Sequence, residues 1–210
     1  MTVPLIDDSE LANELAPFRH WLHGHILNAG CGKRYINLGD DVVRLDVNPR
    51  FATAVDVIAD VHHLPFADNT FDSIVSIAVL EHTRYSWEVA QEFYRVLKPG
   101  GTAVVAIPFM QPQHGVPQDF VRYTQQGICA LMEWANFTVL EVKGVHSAGY
   151  TVEWFLRDLL KEYPRIRRMM WPVRRFVFPR LRQSKYLNHP VESIRSAYYV
   201  VARKPVSTET

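Results

Sequence analysis

The run His25-Ile26-Leu27-Asn28-Ala29-Gly30-Cys31-Gly32 constrains this chain more than any other stretch. It reads as a short buried strand that runs straight into a glycine turn. Closely spaced glycines at a strand end let the backbone approach a ligand that a Cβ would hold off. After a second apolar run, Val42-Val43-Arg44-Leu45, stands Asp46. An acid at the end of the second strand is where ribose hydroxyls are held in nucleoside-binding sheets. The pair points to a nucleoside-bearing ligand. The spacing is not that of a dinucleotide site. No third glycine follows three residues on, and the link from Gly32 to the next strand barely fits a crossover helix. Taken alone, the glycines also read as a tight structural turn.

The rest of the chain alternates between strand and helix patterns. A first helix is expected from Ser9, with Leu11, Leu15, Phe18, Trp21 and Leu22 at helical spacing and a kink or break at Pro17. Strands are expected at about 25–30 and 42–47, then at Val55 to Asp60, Phe71 to Ala78, Thr102 to Ile107, Phe137 to Val145 and Ala197 to Ala202. Trp87 to Leu97 reads as a helix stopped by Pro99-Gly100-Gly101. Thr124 can cap another that carries Ile128, Leu131, Met132 and Ala135. Continuous apolar strands alternating with helices predict an α/β fold, a doubly wound seven-stranded sheet.

Within 210 residues this is one domain. It divides into an N-terminal helix (1–24), a core (25–145), an insertion (146–195) and a last strand (196–205). No apolar run reaches the length of a membrane span, and the N-terminus lacks the pattern of a signal peptide. A cytoplasmic, reducing location is the expectation, with peripheral contact at a membrane as an addition to it. Cys31 and Cys129 are too few for a disulfide framework. The nine histidines are scattered, so no metal site is expected.

The net charge of +1 hides an asymmetry. Residues 1–147 carry 10 Lys/Arg against 17 Asp/Glu, and residues 148–210 carry 13 against 5. Ten of the basic residues fall between Arg157 and Lys185. Val152, Phe155, Leu156, Leu159, Leu160 and Tyr163 predict an amphipathic helix ended by Pro164. Beyond it, from Ile166 to Leu187, arginines alternate with Met169, Met170, Trp171, Phe176, Phe178 and Tyr186, and Pro172 and Pro179 break the segment into short pieces.

Six motifs in order now support a resemblance. They are Leu27-Asn28-Ala29-Gly30-Cys31-Gly32, Leu45-Asp46, Ala59-Asp60-Val61-His62-His63-Leu64-Pro65-Phe66, Phe71-Asp72, Val79-Leu80-Glu81-His82 and Val96-Leu97-Lys98-Pro99-Gly100-Gly101. Together they resemble the class I S-adenosylmethionine-dependent methyltransferases, most of all their type 11 branch. The resemblance covers about residues 24–145 and the last strand. The short link after Gly32 is similar to a subgroup with a reduced first crossover helix.

The resemblance implies that S-adenosyl-L-methionine is the cofactor. Its binding residues would be Asn28, Gly30, Cys31, Gly32, Asp46, Asn48, Asp60, Val61, Ala78 and Val79. Gly30 and Gly32 would meet the methionine moiety, Asp46 the ribose, and Asp60 the adenine amino group, with Asn48 and Val61 nearby. Ala78, Val79 and His82 would line the cleft near the sulfonium. Other readings stand beside these. Asp60 can cap the turn at His62, Glu81 can be a structural acid, His82 a satisfied buried histidine, and Cys31 only a small residue in a turn.

A hydroxyl acceptor needs a base near the operating pH, and His82 and His114 are the catalytic candidates. The loop after strand 5, Met110 to Thr124, stands at the carboxyl end of the sheet, where ligands bind in open α/β folds. Asp119, Arg122 and Tyr123 are its substrate-binding candidates, or Asp119 and Arg122 pair to fix the loop. In the methyltransferase sheet the last strand forms a hairpin with strand 6, so residues 146–195 would sit beside the acceptor. Their basic and aromatic mixture suits a lipid-linked acceptor, a sugar-phosphate or an anionic membrane surface. It also suits nucleic acid. That partner is less favoured, because no base-amine motif of the Asn/Asp-Pro-Pro-Tyr/Phe type follows strand 4. The expected activity is methyl transfer to a small-molecule, sugar or lipid-like acceptor, at oxygen. A catalytically silent binding module and a nucleic-acid methyltransferase are the alternatives.

Overall fold

The computed structural model describes residues 6–7, 9–115, 118–177, 180 and 191–206, the side chains of 6, 7, 9, 10, 174 and 192 excepted. Several expectations lie outside that set: the cap at Ser9, Val116 and Pro117 of the acceptor loop, and Phe178, Pro179, Arg182, Lys185 and Tyr186 of the basic segment.

Seven strands form the main sheet: β1 (Ile26–Ala29), β2 (Val42–Asp46), β3 (Val57–Ile58), β4 (Phe71–Ile77), β5 (Leu97–Pro108), β6 (Thr138–Val145) and β7 (Ala197–Arg203). Their order across the sheet is β3-β2-β1-β4-β5-β7-β6. The first five run parallel, and β7 lies antiparallel between β5 and β6. The direction of winding reverses between β1 and β4. A crevice opens outside the carboxyl ends of strands at such a switch point.

Both faces of the sheet are covered, which is why its central strands read as unbroken apolar runs. On one face, helices α2 (Ser86–Val96) and α3 (Gln125–Trp134) bury Val89, Phe93, Ile128 and Met132 against Leu27, Ile74, Val105 and Val200. On the other, α1 (Ser9–Leu15) passes directly into a 3-10 turn, Ala16–Trp21, with Pro17 in its first positions. Leu15 and Phe18 close that side, and Phe18 stacks on Tyr199 with ring centroids 4.9 Å apart. The break at Pro17 is thus a change of helix type, because proline removes one hydrogen-bond donor. No helix joins β1 to β2. Their link instead carries a two-residue strand, Arg34–Tyr35, paired in parallel with Ile6–Asp7.

Three boundaries differ from expectation. β5 begins at Leu97, which pairs with Phe71 before a bulge brings Thr102 opposite Ser73. The Pro99-Gly100-Gly101 stop is therefore folded into the strand entry. Helix α4 (Ala148–Leu159) starts earlier than its apolar stripe, because the Ser147 side chain accepts the Tyr150 N–H as a cap. Pro164 opens the next helix, α5 (Pro164–Met169), rather than closing α4. Its missing N–H costs nothing in a first turn. Most of the stripe faces outward: Val152, Phe155, Leu159 and Tyr163 are exposed, while its Leu160 is buried together with Ala148 and Thr151.

Candidate active site

The glycine turn and the acid after β2 form one unit. Gly30 and Gly32 have φ of +73° and +59°, in the left-handed region. Gly30 and Cys31 both donate their backbone N–H to the Leu45 carbonyl, at 2.8 and 3.1 Å. Gly32 donates to Asp46 Oδ2 at 2.8 Å, and the Asn48 N–H donates to Oδ1 at 2.9 Å. The amides expected to meet a ligand are thus engaged by β2 and its terminal acid. The two glycines differ in their surroundings. A Cβ on Gly30 would stand 2.4 Å from Val79 Cγ2, so Val79 covers it. At Gly32 the nearest atom would be Phe51 Cε2 at 3.9 Å, so that face is open to a ligand.

Asp46 is 9% exposed. Each of its oxygens takes one N–H and keeps a second lone pair, which suits paired hydroxyl donors. Val47 beside it holds an apolar side chain in solvent. Asn48 caps the turn Pro49–Phe51 by accepting the Arg50 N–H. Asn28, Gly30 and Cys31 line a narrow recess with Arg34 and Ile77. Burial, then the Asp46 charge, pushes the Cys31 thiol up to about 12, so it stays protonated and inert.

Asp60 does cap the turn after β3. Its Oδ1 accepts the His62 N–H at 2.9 Å and contacts His62 Nδ1 at 2.7 Å. Partial burial works against its charge, but these bonds outweigh it and lower the Asp60 pKa. Val61 is buried in the core behind it. At the end of β4, Ala78 has φ of +56°, a conformation costing about 1–2 kcal/mol in a residue other than glycine. This turn sets Val79 over Gly30 and starts the 3-10 turn Leu80–His82.

A cavity of about 300 Å³ opens beside that turn, at the carboxyl ends of β4 and β5. Its wall includes Leu11, Glu14, Ala78, Pro108, His114, His146, Tyr150 and Trp154. Leu11, Arg34 and Ile77 line both this cavity and the recess at the glycine turn. The two spaces therefore adjoin.

The acceptor loop is pinned by its own charges. The Arg122 guanidinium grips both Asp119 oxygens, and Asp119 also accepts the His114 N–H at 2.8 Å. The Arg122 guanidinium holds the Asp119 carboxyl below its ordinary range despite partial burial. Phe120 donates its N–H to the Glu81 carbonyl at 2.7 Å, which ties the loop to the turn after β4. The fold thus pairs Asp119 with Arg122 and places His114 on the cavity wall. Tyr123 is not brought to the cavity. Its hydroxyl bonds Ser86 Oγ at 2.6 Å and its ring packs on the core, because Ser86 at the start of α2 is buried and needs a partner.

His82 sits behind His114, with ring centroids 5.3 Å apart and planes nearly perpendicular. Both face Glu81, whose side chain is fully buried. That carboxylate raises the pKa of His114, with partial burial opposing. Glu81 and His82 are neighbours in one turn, but His114 joins them from the loop after β5, which is why the spacing gave no sign of a ligand set.

Sequence reasoning missed the opposite wall. His146, at the end of β6 with φ of +62°, directs Nε2 to Glu14 Oε1 at 2.8 Å and bonds Ser196 Oγ through Nδ1. It stacks on Tyr150 at 4.2 Å. The one available signal was a histidine at the carboxyl end of a predicted strand.

This chain has the Rossmann-like methyltransferase fold, with a glycine turn after β1 and acids after β2 and β3. Residues 27–105 match the family described as a methyltransferase domain. A probable S-adenosylmethionine-dependent methyltransferase of Mycolicibacterium smegmatis is 33% identical over 59% of this chain and 56% of its own. A demethylmenaquinone methyltransferase of Renibacterium salmoninarum is 39% identical over 39% of this chain and 37% of its own. The chain thus spans about half or less of the length of these curated relatives. A solved S-adenosylmethionine-dependent methyltransferase from Archaeoglobus fulgidus shares the fold, with a TM-score of 0.60 at 14% identity over 93% of both chains. The residues present fit the cofactor: Asp46 has acceptor capacity to spare, and Gly32 leaves an open face beside it.

Proposed function

We propose that this protein transfers the methyl group of S-adenosylmethionine to a hydroxyl oxygen of a small-molecule, sugar or lipid-like acceptor. The observation that carries the reading is the shared border of the cavity and the glycine-turn recess at Leu11, Arg34 and Ile77. In-line displacement needs donor and acceptor in contact and water excluded. The cofactor supplies an activated methyl carbon on a good leaving group. Asp46 and the Gly32 face hold the nucleoside end. The loop pinned by Asp119 and Arg122 walls the acceptor.

A hydroxyl must lose its proton as the new bond forms. His146 lines the cavity, its ring held by Glu14, and is the candidate base there. His114 faces it from the loop. Tyr150 and Trp154 supply apolar wall, which suits an acceptor with a ring or chain. The Renibacterium relative is named for a quinone-type substrate, which supports an amphiphilic acceptor while leaving the methylated atom to experiment.

Labelled S-adenosylmethionine with a panel of phenols, quinols, sugars and lipid-linked alcohols tests the reading. An O-methyl product that His146→Ala reduces supports it. Cofactor binding without transfer to any of them would make the protein a binding module instead.

The outer surface of 148–177 supports a peripheral membrane site. Phe155, Leu159, Ile166, Met169 and Trp171 stand exposed among Arg157, Arg165, Arg167 and Arg168. Apolar side chains mixed with cations match an anionic lipid surface, and a lipid-linked acceptor would be met there. No helix among the described residues is long and apolar enough to cross a membrane.

A further inference from the structure

We infer that Glu81, His82 and His114 form a binding site for one divalent transition-metal ion of the zinc type, set into the wall of the acceptor cavity.

Glu81 carries the argument. It is 0% exposed, and neither carboxylate oxygen has a hydrogen-bond partner among the described residues. A buried carboxylate without partners is costly unless a positive group neutralises it. Arg84, the cation nearest in sequence, lies over the Tyr85 ring, and Arg122 is committed to Asp119. What faces Glu81 is two imidazoles. His82 Nε2 stands 3.7 Å from Glu81 Oε1, and His114 Nε2 stands 3.6 Å from the same oxygen. Both gaps are too long for a good N–H···O bond. They suit two ligands of one ion: with metal–ligand bonds of about 2.0–2.2 Å, tetrahedral ligand atoms lie roughly 3.3–3.6 Å apart. The ligand atoms of all three residues lie within 4.8 Å of one another.

The far side of His82 agrees. Its Nδ1 meets the Gln118 carbonyl at 2.5 Å, and a carbonyl only accepts, so Nδ1 carries the proton. Its Nε2 is then the ring atom that faces Glu81 Oε1. A histidine that donates Nδ1–H to a backbone carbonyl and offers Nε2 is the usual state of a metal ligand. His114 Nδ1 lies between the Pro112 carbonyl at 3.3 Å and Arg122 Nη2 at 3.4 Å, and its Nε2 faces Glu81. Two imidazoles and one carboxylate form a zinc- or iron-type set with open coordination positions.

Of the three, His114 lines the cavity, so an open position serves an acceptor oxygen there. An ion at this point would orient the acceptor hydroxyl and lower its pKa, with the proton leaving to water in the open cavity. That role rests on the reading proposed above; the binding of the ion does not.

The full chain, stripped with a chelator and dialysed, is titrated with Zn²⁺ and, separately, with Co²⁺ as a spectroscopic probe. Bound metal is counted by mass spectrometry, and S-adenosylmethionine binding is followed in parallel by calorimetry. We expect one equivalent per chain, a visible Co²⁺ spectrum with nitrogen ligation, and at least a tenfold loss of metal affinity in His114→Ala. His114 is partly exposed and its loss is tolerable to the fold; Glu81→Gln, at a fully buried position, is the second variant, checked by circular dichroism. Cofactor binding with no metal equivalent overturns the site and leaves the methyltransferase reading standing. Equal metal uptake by wild type and His114→Ala also overturns it, since the ion then sits elsewhere. Metal uptake at this site without cofactor binding supports the site and defeats the methyltransferase reading instead.

Discussion

The Gly32 amide donates to Asp46 Oδ2 at 2.8 Å, so the turn after β1 is shaped by the acid that ends β2. Asp46→Ala removes the proposed ribose acceptor and the anchor of the turn together. We expect S-adenosylmethionine affinity to fall at least tenfold by calorimetry. Unchanged affinity would show that the nucleoside is held elsewhere.

Gly30 lies under Val79, and its φ is positive. Gly30→Ala therefore adds a clash to a backbone penalty of about 1 kcal/mol. Melting should show a loss larger than that penalty alone. Val79→Ala in the same chain should restore part of it, because the two changes share one contact. Additive losses would argue against the contact.

Asp72 accepts the Lys98 ammonium at 2.8 Å and the His25 N–H at 2.9 Å. The Lys98 bond first, then the His25 amide, lowers its pKa in the folded state. A depressed carboxyl adds stability above its unfolded pKa of about 3.9 and loses it as the pH falls through the folded value. Wild type should outmelt Asp72→Asn at neutral pH. The gap should shrink in acid below about pH 4. A gap that grows in acid would reverse the sign and refute the assignment.

Asp119 holds both Arg122 and the His114 amide. Asp119→Ala should free the loop and lower kcat/KM for the acceptor about tenfold or more, an estimate set by the loss of positioning. Cofactor affinity should not change. A cofactor effect equal to the acceptor effect would mean that the loop shapes both sites.

Flotation with vesicles of anionic lipid should carry the protein at low salt and release it partly at high salt, as screening weakens the arginine contacts. Met169→Glu, on the most exposed of the apolar side chains, should reduce flotation at both. No flotation under either condition would remove the membrane role.

Local chemistry made the glycine turn and the acids at the strand ends readable. Each strand declares itself within a few residues, and Gly30, Gly32, Asp46 and Asp60 stand directly at strand ends. The acceptor side depends on distant pairs. Glu14 and His146 meet through the packing of α1 over the end of β6, and Glu81 meets His114 only when the loop docks. Periodicity also gave α4 its helical pattern without fixing which side packs inward. A stripe at positions such as Val152 and Phe155 reports amphipathicity without saying which medium the apolar side faces. Tyr123 misled for a related reason: its place in the loop is visible in sequence, while the buried Ser86 that claims its hydroxyl is not.

The antiparallel seating of β7 between β5 and β6 has a consequence for how such a protein changes over time. Val145, Ala197 and Pro108 share one edge of the sheet, so the chain departs for its excursion and returns at the rim of the cavity. The residues proposed to hold the nucleoside end by Val79, before that excursion begins. One wall can be rewritten, in length or in chemistry, while the other is inherited intact. The hairpin acts as a socket: it fixes where a new recognition piece must stand without dictating what the piece is made of.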